Sequence, residues 1–337
     1  KEIEFRGMTL TEEDLIQLFY YKFTETPLLK RMDAVKDYFI DSWETLKGRN
    51  ISEDDQEMLQ MKFDKMYTTK DIYTIYNWML DDCGCDLLPE VPYEKRKLPY
   101  EDVFPMLYLK YRLSGGNSTH KNIKHLVIDE MQDYTYLQYT ILESLFHCRM
   151  TILGDRAQTL DTKQQDVLRF LPKLLGREIR TIEIKKSYRN TLEIARYAEK
   201  VSGVSDLELL DRHGKEVVEK TFNTDTELLD ELVCHLKCPG DFETAALLTT
   251  TEEEAFDLSR LLKLRGINVS YVDRNSSAFK KGLTVTTFYL AKGLEFDQVF
   301  ALRGAKENPL KNQAEYICAT RALHELYVYE IANSLSK

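Results

Sequence analysis

The chain has 337 residues, of which 43% are hydrophobic, and a formal net charge of −10 from 46 basic and 56 acidic side chains. This length predicts two or three compact domains, and the apolar share excludes a disordered or fibrous chain. No run approaches the roughly 18 apolar residues of a membrane span, and no signal-peptide pattern occurs, so we predict a cytoplasmic protein without a membrane partner. The negative charge, most of it in residues 1–120, disfavours nonspecific binding to nucleic-acid phosphates.

The six cysteines do not form a recognisable framework. Cys83 and Cys85 are separated by one residue and Cys234 and Cys238 by three, whereas common structural zinc sites use a two-residue spacing. We therefore predict reduced thiols and no structural metal.

The first 80 or so residues have the apolar spacing of helices, with hydrophobic side chains every three or four positions. Capping or stopping residues flank these runs and predict where four helices begin or end. A stretch rich in Pro and Gly, residues 81–99, interrupts the helical part, and one more apolar helix is predicted over residues 103–113. The capping or stopping residues are Thr11 with Asp14, Pro27 and Gly48, Ser52 with Asp55, and Asp71.

From residue 123 onward, short β-branched runs alternate with helical segments. This alternation predicts right-handed crossovers and parallel sheets, and so an α/β fold with two lobes. The predicted strands are 123–128, 150–153, 181–184, 245–249, 269–272, 283–287, 299–302 and 326–331.

Two of these strands end in carboxylates. Residues 125–128 run into Asp129 and Glu130, and residues 150–153 run into Gly154 and Asp155. Open parallel sheets carry their functional groups at the carboxyl ends of strands. Carboxylates there suit a Mg²⁺ ion, which prefers hard oxygen ligands, beside a water molecule to be activated. On its own, a strand that ends in two acids is more often an ordinary turn.

Five short motifs follow one another in a fixed order. They are Asp129-Glu130-Met131-Gln132-Asp133, Gly154-Asp155-Arg156-Ala157-Gln158, Ser187-Tyr188-Arg189-Asn190, Lys292-Gly293-Leu294-Glu295-Phe296-Asp297 and Ala319-Thr320-Arg321-Ala322. Together they resemble the boxes of superfamily 1 helicases of the UvrD/Rep type. Tyr100-Glu101-Asp102, His125 and Tyr289-Leu290-Ala291-Lys292-Gly293 are most similar to the HelD subgroup, whose members bind RNA polymerase and help to release it from nucleic acid.

The resemblance implies that ATP and Mg²⁺ bind between two RecA-like lobes. In that case Asp129 holds Mg²⁺ through its water shell, Glu130 orients the hydrolytic water and Gln158 senses the γ-phosphate. Arg189 and Arg321 supply positive charge to the transferring phosphoryl group, as arginine fingers do. The alternative for both arginines is an ordinary salt bridge.

Three more residues complete the implied site. Tyr188 stacks on adenine, Glu295 touches the sugar or phosphates of the nucleotide, and Gly293 lets the backbone come close. The alternative for Tyr188 is a core aromatic residue. Lys185, Lys186 and Arg189 form either a solvated surface or a local basic groove.

The chain departs from the family pattern in three places. No Gly-x-x-x-x-Gly-Lys-Ser/Thr loop occurs, and the Gly-rich piece at Gly115-Gly116 lacks the lysine, so we expect the loop in a missing N-terminal part of the same protein. Residues 159–162 lack the aromatic-Arg pair of translocating relatives, and Tyr289 replaces a histidine. The last two departures predict weak DNA binding.

The resulting prediction is a helical insertion over residues 1–95, the rest of a first RecA-like lobe over 96–178 and a second over 179–337. The predicted function is part of an ATP-dependent, helicase-like motor that remodels nucleic acid or RNA polymerase. One alternative is a polymerase-binding recycling factor whose ATPase only switches its conformation, without unwinding. Another is a degenerate interaction module that binds no nucleotide.

Overall fold

The computed structural model describes residues 2–116, 122–160, 167–176, 179–204, 207–237, 242–276, 281–304 and 309–332. The chain forms two compact units. The helical unit comprises Lys1–Val127, Tyr134–Thr151 and Phe170–Gly176, and the sheet unit comprises Ile128–Asp133, Ile152–Arg169 and Arg177–Lys337. The three-part division at residues 95 and 178 stays a prediction.

The helical unit begins with an antiparallel hairpin that the sequence analysis missed. Strands β1 (Ile3–Phe5) and β2 (Met8–Leu10) pair with Ile3 opposite Leu10, so the prediction of an all-helical beginning is wrong for these residues. The short strands bury Ile3, Phe5 and Leu10 against helices, and three residues carry too little periodicity to be recognised.

Helices make up most of the rest of this unit, and their local signals work as predicted. The side chains of Thr11, Ser52 and Asp71 each accept a hydrogen bond from the backbone three residues on, and Gly48 ends its helix in the left-handed conformation. The helices are α1 (Glu12–Ile16), which continues into a π-helical turn (Gln17–Lys22), α2 (Leu28–Lys47), α3 (Glu53–Asp64), α4 (Ile72–Asp82) and α5 (Tyr100–Ser114).

Two short strands in the middle of the chain lie beside each other. Strand β3 (His125–Ile128) pairs with β4 (Arg149–Ile152), and α6 (Tyr136–Leu145) connects them. Helix α7 (Val167–Leu175) follows. The strands predicted over 123–128 and 150–153 are confirmed.

The sheet unit is built on six parallel strands in the order β7-β12-β11-β8-β10-β9. This arrangement confirms the predicted α/β class. The elements are β5 (Lys186–Ser187), α8 (Leu192–Ser202), β6 (Glu208–Leu209), β7 (Val218–Phe222), α9 (Asp225–Lys237), β8 (Thr244–Thr249), α10 (Glu252–Leu264), β9 (Val269–Tyr271), β10 (Gly282–Thr287), β11 (Phe296–Arg303), α11 (Lys311–Arg321) and β12 (Ala322–Ile331). Strands β5 and β6 form a separate parallel pair.

Helices cover both faces of this sheet. Alternate residues of each central strand belong to different cores: Ala246 and Leu248 pack with α8 and α11, whereas Leu247 packs with α9 and α10. Burial on both faces explains why β8 is apolar at four consecutive positions, and why the threonines of β10 are buried as well. None of the helices in the described part of the chain has the length and apolar content that crossing a membrane requires.

Two strand predictions fail in this unit. Residues 181–184 are extended but form no strand, and Ile182 and Ile184 are exposed. Conversely, β7 was not predicted, because Val218–Phe222 contains three polar residues and lies at the edge of the sheet. Both errors arise because a strand exists only when a neighbour pairs with it.

Candidate functional site

The acidic segment, residues 129–133, leaves strand β3 in a tightly bonded turn. The backbone N–H of Leu153 donates to Ile128 O and that of Met131 donates to Leu153 O, both at 2.8 Å. Glu130 has a φ of +53°, in the left-handed region that residues other than glycine rarely adopt. Asp129 Oδ1 accepts the Glu130 N–H at 2.8 Å and supports this conformation. Strained backbone of this kind is concentrated at functional sites.

Gln132 connects the acidic segment to the next one. It is 8% exposed; its Nε2 donates to Glu130 Oε2 and its Oε1 accepts the Asp155 N–H at 3.0 Å. Gly154 allows this close approach, because an added Cβ would lie 2.5 Å from Gln132 Oε1 and 2.6 Å from Met131 N. Gln132 thereby fixes one oxygen of the Glu130 carboxylate.

Asp155 organises the turn that carries Gln158. Its Oδ1 accepts the Ala157 N–H, and its Oδ2 accepts hydrogen bonds from Gln158 Nε2 at 3.0 Å and from Tyr316 Oη at 2.8 Å. Burial, with the negative charge of Asp155 second, raises the pKa of Tyr316, so this hydroxyl stays a donor. Asp155 therefore connects helix α11 to Gln158, the predicted γ-phosphate sensor.

Arg321 is a buried cation without an anionic partner. The residue is 2% exposed and forms no ion pair with any carboxylate in the described part of the chain. Its Nη1 donates to Leu294 O at 3.3 Å, and its Nη2 lies 3.2 Å from Thr320 Oγ1 and 3.5 Å from Gln158 Oε1. Its Nε has no hydrogen-bond partner among the described residues. Burial is the main cause that lowers the pKa of Arg321, and the positive charge of Arg189 is second.

Negative charge nevertheless surrounds Arg321 at longer range. The charges of Glu130, Glu295 and Asp155 oppose the effect of burial on its pKa. Arginine keeps its proton in proteins. The guanidinium is therefore a fixed positive charge among carboxylates that it does not touch.

Arg189 and Tyr188 lie on an exposed loop before helix α8. Arg189 Nε contacts Glu295 Oε1 at 2.6 Å, so this pair is a salt bridge. Tyr188 is 62% exposed, which excludes the alternative of a core aromatic residue and leaves its ring face available. The buried Asn190 donates to Ala319 O and Ala322 O at 3.2 and 2.6 Å, and thus ties this loop to the end of α11 where Arg321 lies.

The loop after strand β10 contributes Lys292 and Gly293. Lys292 Nζ lies 2.6 Å from Asp133 Oδ1 and 3.5 Å from Glu130 Oε2. Gly293 has a φ of +82°, and an added Cβ would meet no atom within 4 Å. A glycine is therefore required at position 293 by the backbone conformation and not by a close contact.

The sheet unit therefore brings the predicted site residues together. Tyr188 and Gly293 are exceptions, because the contacts predicted for them are with a nucleotide and not with other residues of the site. The sequence analysis assigned no role to Gln132, Asn190, Lys292 or Tyr316. Gln132, Asn190 and Lys292 stand inside the quoted motifs, but their partners are up to 159 positions away. Tyr316 lies one helical turn before Arg321, and no local signal marks it.

The donor set fits a magnesium ion that binds mainly through water and phosphate. The described residues contain no group of three or more His, Cys, Asp or Glu side chains that could enclose a metal ion. The exposed Asp129 uses one carboxylate oxygen for the Glu130 N–H, which leaves its Oδ2 as a ligand. Magnesium is usually held by one or two carboxylates together with substrate phosphates, which this arrangement allows.

Comparison with known proteins gives limited information. No protein-family model matches the chain, and no curated protein matches it. Among solved structures, it is similar to the C-terminal domain of a possible DNA helicase from Lactobacillus plantarum WCFS1, with 24% identity and a TM-score of 0.35. That similarity covers 43% of this chain and 88% of the other.

Proposed function

We propose that this chain is part of an ATP-driven, helicase-like motor and that the site of the sheet unit binds ATP with Mg²⁺. One observation carries the proposal: among the described residues, the buried guanidinium of Arg321 has no carboxylate partner, and no hydrogen-bond partner for its Nε. Buried charges in folded proteins are normally paired, because burying an ion without a partner is costly. A ligand with negative charge would supply the missing partner.

The geometry around Arg321 favours a phosphate group as that ligand. A guanidinium presents several donors in one plane and suits phosphate oxygens better than a point charge does. Gln158 Oε1 lies 3.5 Å from the same guanidinium, so an amide is also within reach of a bound phosphate. In this assignment Arg321 stabilises the charge that develops on the transferring phosphoryl group.

The acidic segment supplies the complementary groups. Bound Mg²⁺ would neutralise phosphate charge, and Asp129 Oδ2 is the oxygen that would hold it through its water shell. Gln132 and Lys292 engage Glu130 Oε2, and no described donor engages Oε1. Glu130 Oε1 is thus the acceptor that would orient a water molecule toward the γ-phosphate.

The motif order supports a motor of the UvrD/Rep type rather than an unrelated nucleotide-binding protein. The five motifs supply Asp129, Glu130, Gln158, Arg189 and Arg321, and the sheet unit assembles all five residues. We assign Tyr188 to adenine stacking and Glu295, which already contacts Arg189, to the sugar or phosphates. Efficient hydrolysis would also require a Gly-Lys-Ser/Thr loop, which these 337 residues do not contain.

Replacing Arg321 tests this proposal directly. We expect the chain to bind a fluorescent ATP analogue with Mg²⁺, measured by anisotropy, and Arg321→Ala to weaken binding at least about tenfold, since a charge-assisted hydrogen bond to phosphate is lost. Arg321→Lys, which keeps the charge, should lose less. Arg265→Ala, which removes an exposed arginine paired with Asp230, is the matched control.

Thermal unfolding of the same variants checks that they are folded. ATP should raise the unfolding temperature of the wild type more than that of Arg321→Ala, because only the wild type gains a partner for its buried cation. Equal binding by the wild type and Arg321→Ala, or no binding by a folded wild type at millimolar ATP, would contradict the proposal.

A macromolecular partner for the helical unit is favoured by its exposed aromatic residues. Tyr20 and Tyr21, adjacent on the π-helical turn, are 61% and 68% exposed. Exposed tyrosines are enriched at protein interfaces. This observation favours a protein partner for the helical unit. The resemblance to the HelD subgroup makes RNA polymerase the candidate partner, and the second candidate function is therefore an RNA polymerase-binding factor with an ATP-driven conformational switch. Loss of polymerase binding in Tyr20→Ala/Tyr21→Ala, with no unwinding by the wild type, would support it over a helicase.

A further inference from the structure

Lys292 is a partly buried lysine whose ammonium group lies against the acidic segment. Its side chain is 8% exposed, and its Nζ contacts Asp133 Oδ1 at 2.6 Å and Glu130 Oε2 at 3.5 Å. Lysine is rarely buried to this extent unless it is paired. These two ion pairs join the loop after β10 to the segment after β3, across 159 positions of the chain.

The loop that carries Lys292 is held firmly. Ala291 is fully buried in the core beneath the sheet, and its N–H donates to Thr287 O at 3.0 Å. Leu294 N–H donates to Ala291 O at 3.0 Å, and Gly293 supplies the left-handed residue between them. The backbone of Lys292 is thus fixed between a core anchor and a constrained glycine, and the two ion pairs hold its Nζ at the acidic segment.

The position of the ammonium group matters for a divalent cation at Asp129, which precedes Glu130 in the same acidic segment. Glu130 Oε2 already accepts from Gln132 Nε2 and lies 3.5 Å from Lys292 Nζ. A second cation beside Asp129 would experience repulsion from this fixed positive charge. At the same time, the ammonium group stabilises the acidic segment when no metal is bound.

We propose that Lys292 is a built-in cation that holds the acidic segment in the absence of metal and sets the affinity of the site for divalent cations. This inference rests on the proposed function for the identity of the metal site. In this role Lys292 makes metal binding weak without nucleotide, so that Mg²⁺ arrives together with the phosphates of ATP. It is a positioning residue, because it acts through Glu130 and Asp133.

Metal titration without nucleotide tests the inference. Mn²⁺, a paramagnetic substitute for Mg²⁺, is titrated into the purified chain, and free Mn²⁺ is measured by electron paramagnetic resonance. Lys292→Met should tighten Mn²⁺ binding roughly tenfold, as expected when a unit positive charge paired with the acidic segment is removed. Lys292→Arg, which keeps the charge, should bind Mn²⁺ as the wild type does.

Two further variants make the result interpretable. Lys281→Met removes an exposed lysine paired with Glu243 and should leave Mn²⁺ binding unchanged. Lys292→Gln keeps a polar side chain and should also tighten binding, which covers the case in which Lys292→Met does not fold. Thermal unfolding identifies the folded variants. A merely structural lysine would lower the unfolding temperature when replaced and would not tighten Mn²⁺ binding.

The outcome is separable from that of the nucleotide experiment. Unchanged or weaker Mn²⁺ binding in folded Lys292→Gln or Lys292→Met overturns the inference, whatever the chain does with ATP. Tighter Mn²⁺ binding in a chain that fails to bind ATP would retain the role of Lys292 and overturn the proposed function instead.

Discussion

Individual residues at the site are fixed by close contacts that leave little room for substitution. Glu130 adopts a left-handed conformation that Asp129 supports, and Gly154 makes room for Met131 and Gln132. These are features of the backbone, and they explain why residues with no chemistry of their own stand within the motifs.

Gly154 provides a prediction at this scale. In Gly154→Ala the new Cβ would lie 2.6 Å from Met131 N, which cannot retreat because its N–H is bonded to Leu153 O at 2.8 Å. We expect the sheet unit to lose about 1–3 kcal/mol of unfolding free energy, as overpacking typically causes. Urea unfolding measures this. Gly116→Ala, where an added Cβ meets nothing within 4 Å, is the control, and equal stability of the two variants would contradict the prediction.

The sequence identifies chemically active residues better than the residues that hold them. Asp129, Glu130 and Arg321 were recognised because they occur at fixed positions in known motifs. The burial of Arg321 and its lack of a carboxylate partner depend on Leu294 and Gln158, which are distant in the chain. The sequence alone does not show which distant residues are in contact. The distribution of charge at the site can therefore be described only from the fold.

At the scale of secondary-structure elements, prediction works where the signal is local. The caps of α3 and α4 need only a side chain and the backbone three residues on, and both were identified correctly. The edge strand β7 was missed and residues 181–184 were wrongly assigned, because pairing depends on another segment. Helix boundaries are thus readable from sequence, and so is the edge strand β9, whereas an edge strand as polar as β7 is not.

Helix α8 gives an element-scale prediction that depends on pH. His213 Nδ1 lies 2.8 Å from Glu193 Oε1, and the Gly214 N–H donates to Glu193 Oε2 at 2.8 Å, so Glu193 anchors the segment 211–214 to the helix. The hydrogen bond with His213 holds the pKa of Glu193 at about 2, below its ordinary value of 4.5. The same bond, with the charge of Asp211 second, raises the pKa of His213 above 6.5.

The directions of the two pKa shifts define a pH range in which the contact between Glu193 and His213 is most stable. Glu193 contributes stability above pH 4.5 that is lost as the pH falls toward about 2. His213 contributes stability that is complete below pH 6.5 and is lost as the pH rises through its raised pKa. Hydrogen exchange of the Gly214 amide should therefore show the greatest protection between these limits.

A pair of variants checks the cause. Glu193→Gln should lower the pKa of His213, followed by the NMR shifts of its ring protons, and should reduce protection of the Gly214 amide. Glu199→Gln changes a glutamate of the same helix that does not contact His213 and should do neither. An unchanged pKa of His213 in Glu193→Gln would show that the pair does not determine it.

At the scale of the whole molecule, the negative net charge disfavours tight binding to nucleic acid. The chain carries a net charge of −10, and affinity for a phosphate backbone grows with the number of phosphates that cations neutralise. Lys185, Lys186 and Arg189 were the one basic cluster noted in the sequence. Lys186 lies 3.7 Å from Glu208, and Arg189 forms a salt bridge with Glu295 at 2.6 Å.

These pairs lead to the prediction that the chain binds short single-stranded oligonucleotides weakly at physiological salt. A phosphate that approached Lys186 or Arg189 would have to displace a carboxylate already in place, so few counterions would be released and the salt dependence should be shallow. Fluorescence anisotropy with a labelled oligonucleotide, repeated over a range of salt concentrations, measures both the affinity and its salt dependence.

Glu208→Gln/Glu295→Gln frees the two cations and should strengthen binding and steepen the salt dependence. Glu243→Gln, which frees only Lys281, loses one negative charge and is the control for net charge. A submicromolar dissociation constant for the wild type with a steep salt dependence would show instead that cations elsewhere on the surface form a groove for nucleic acid.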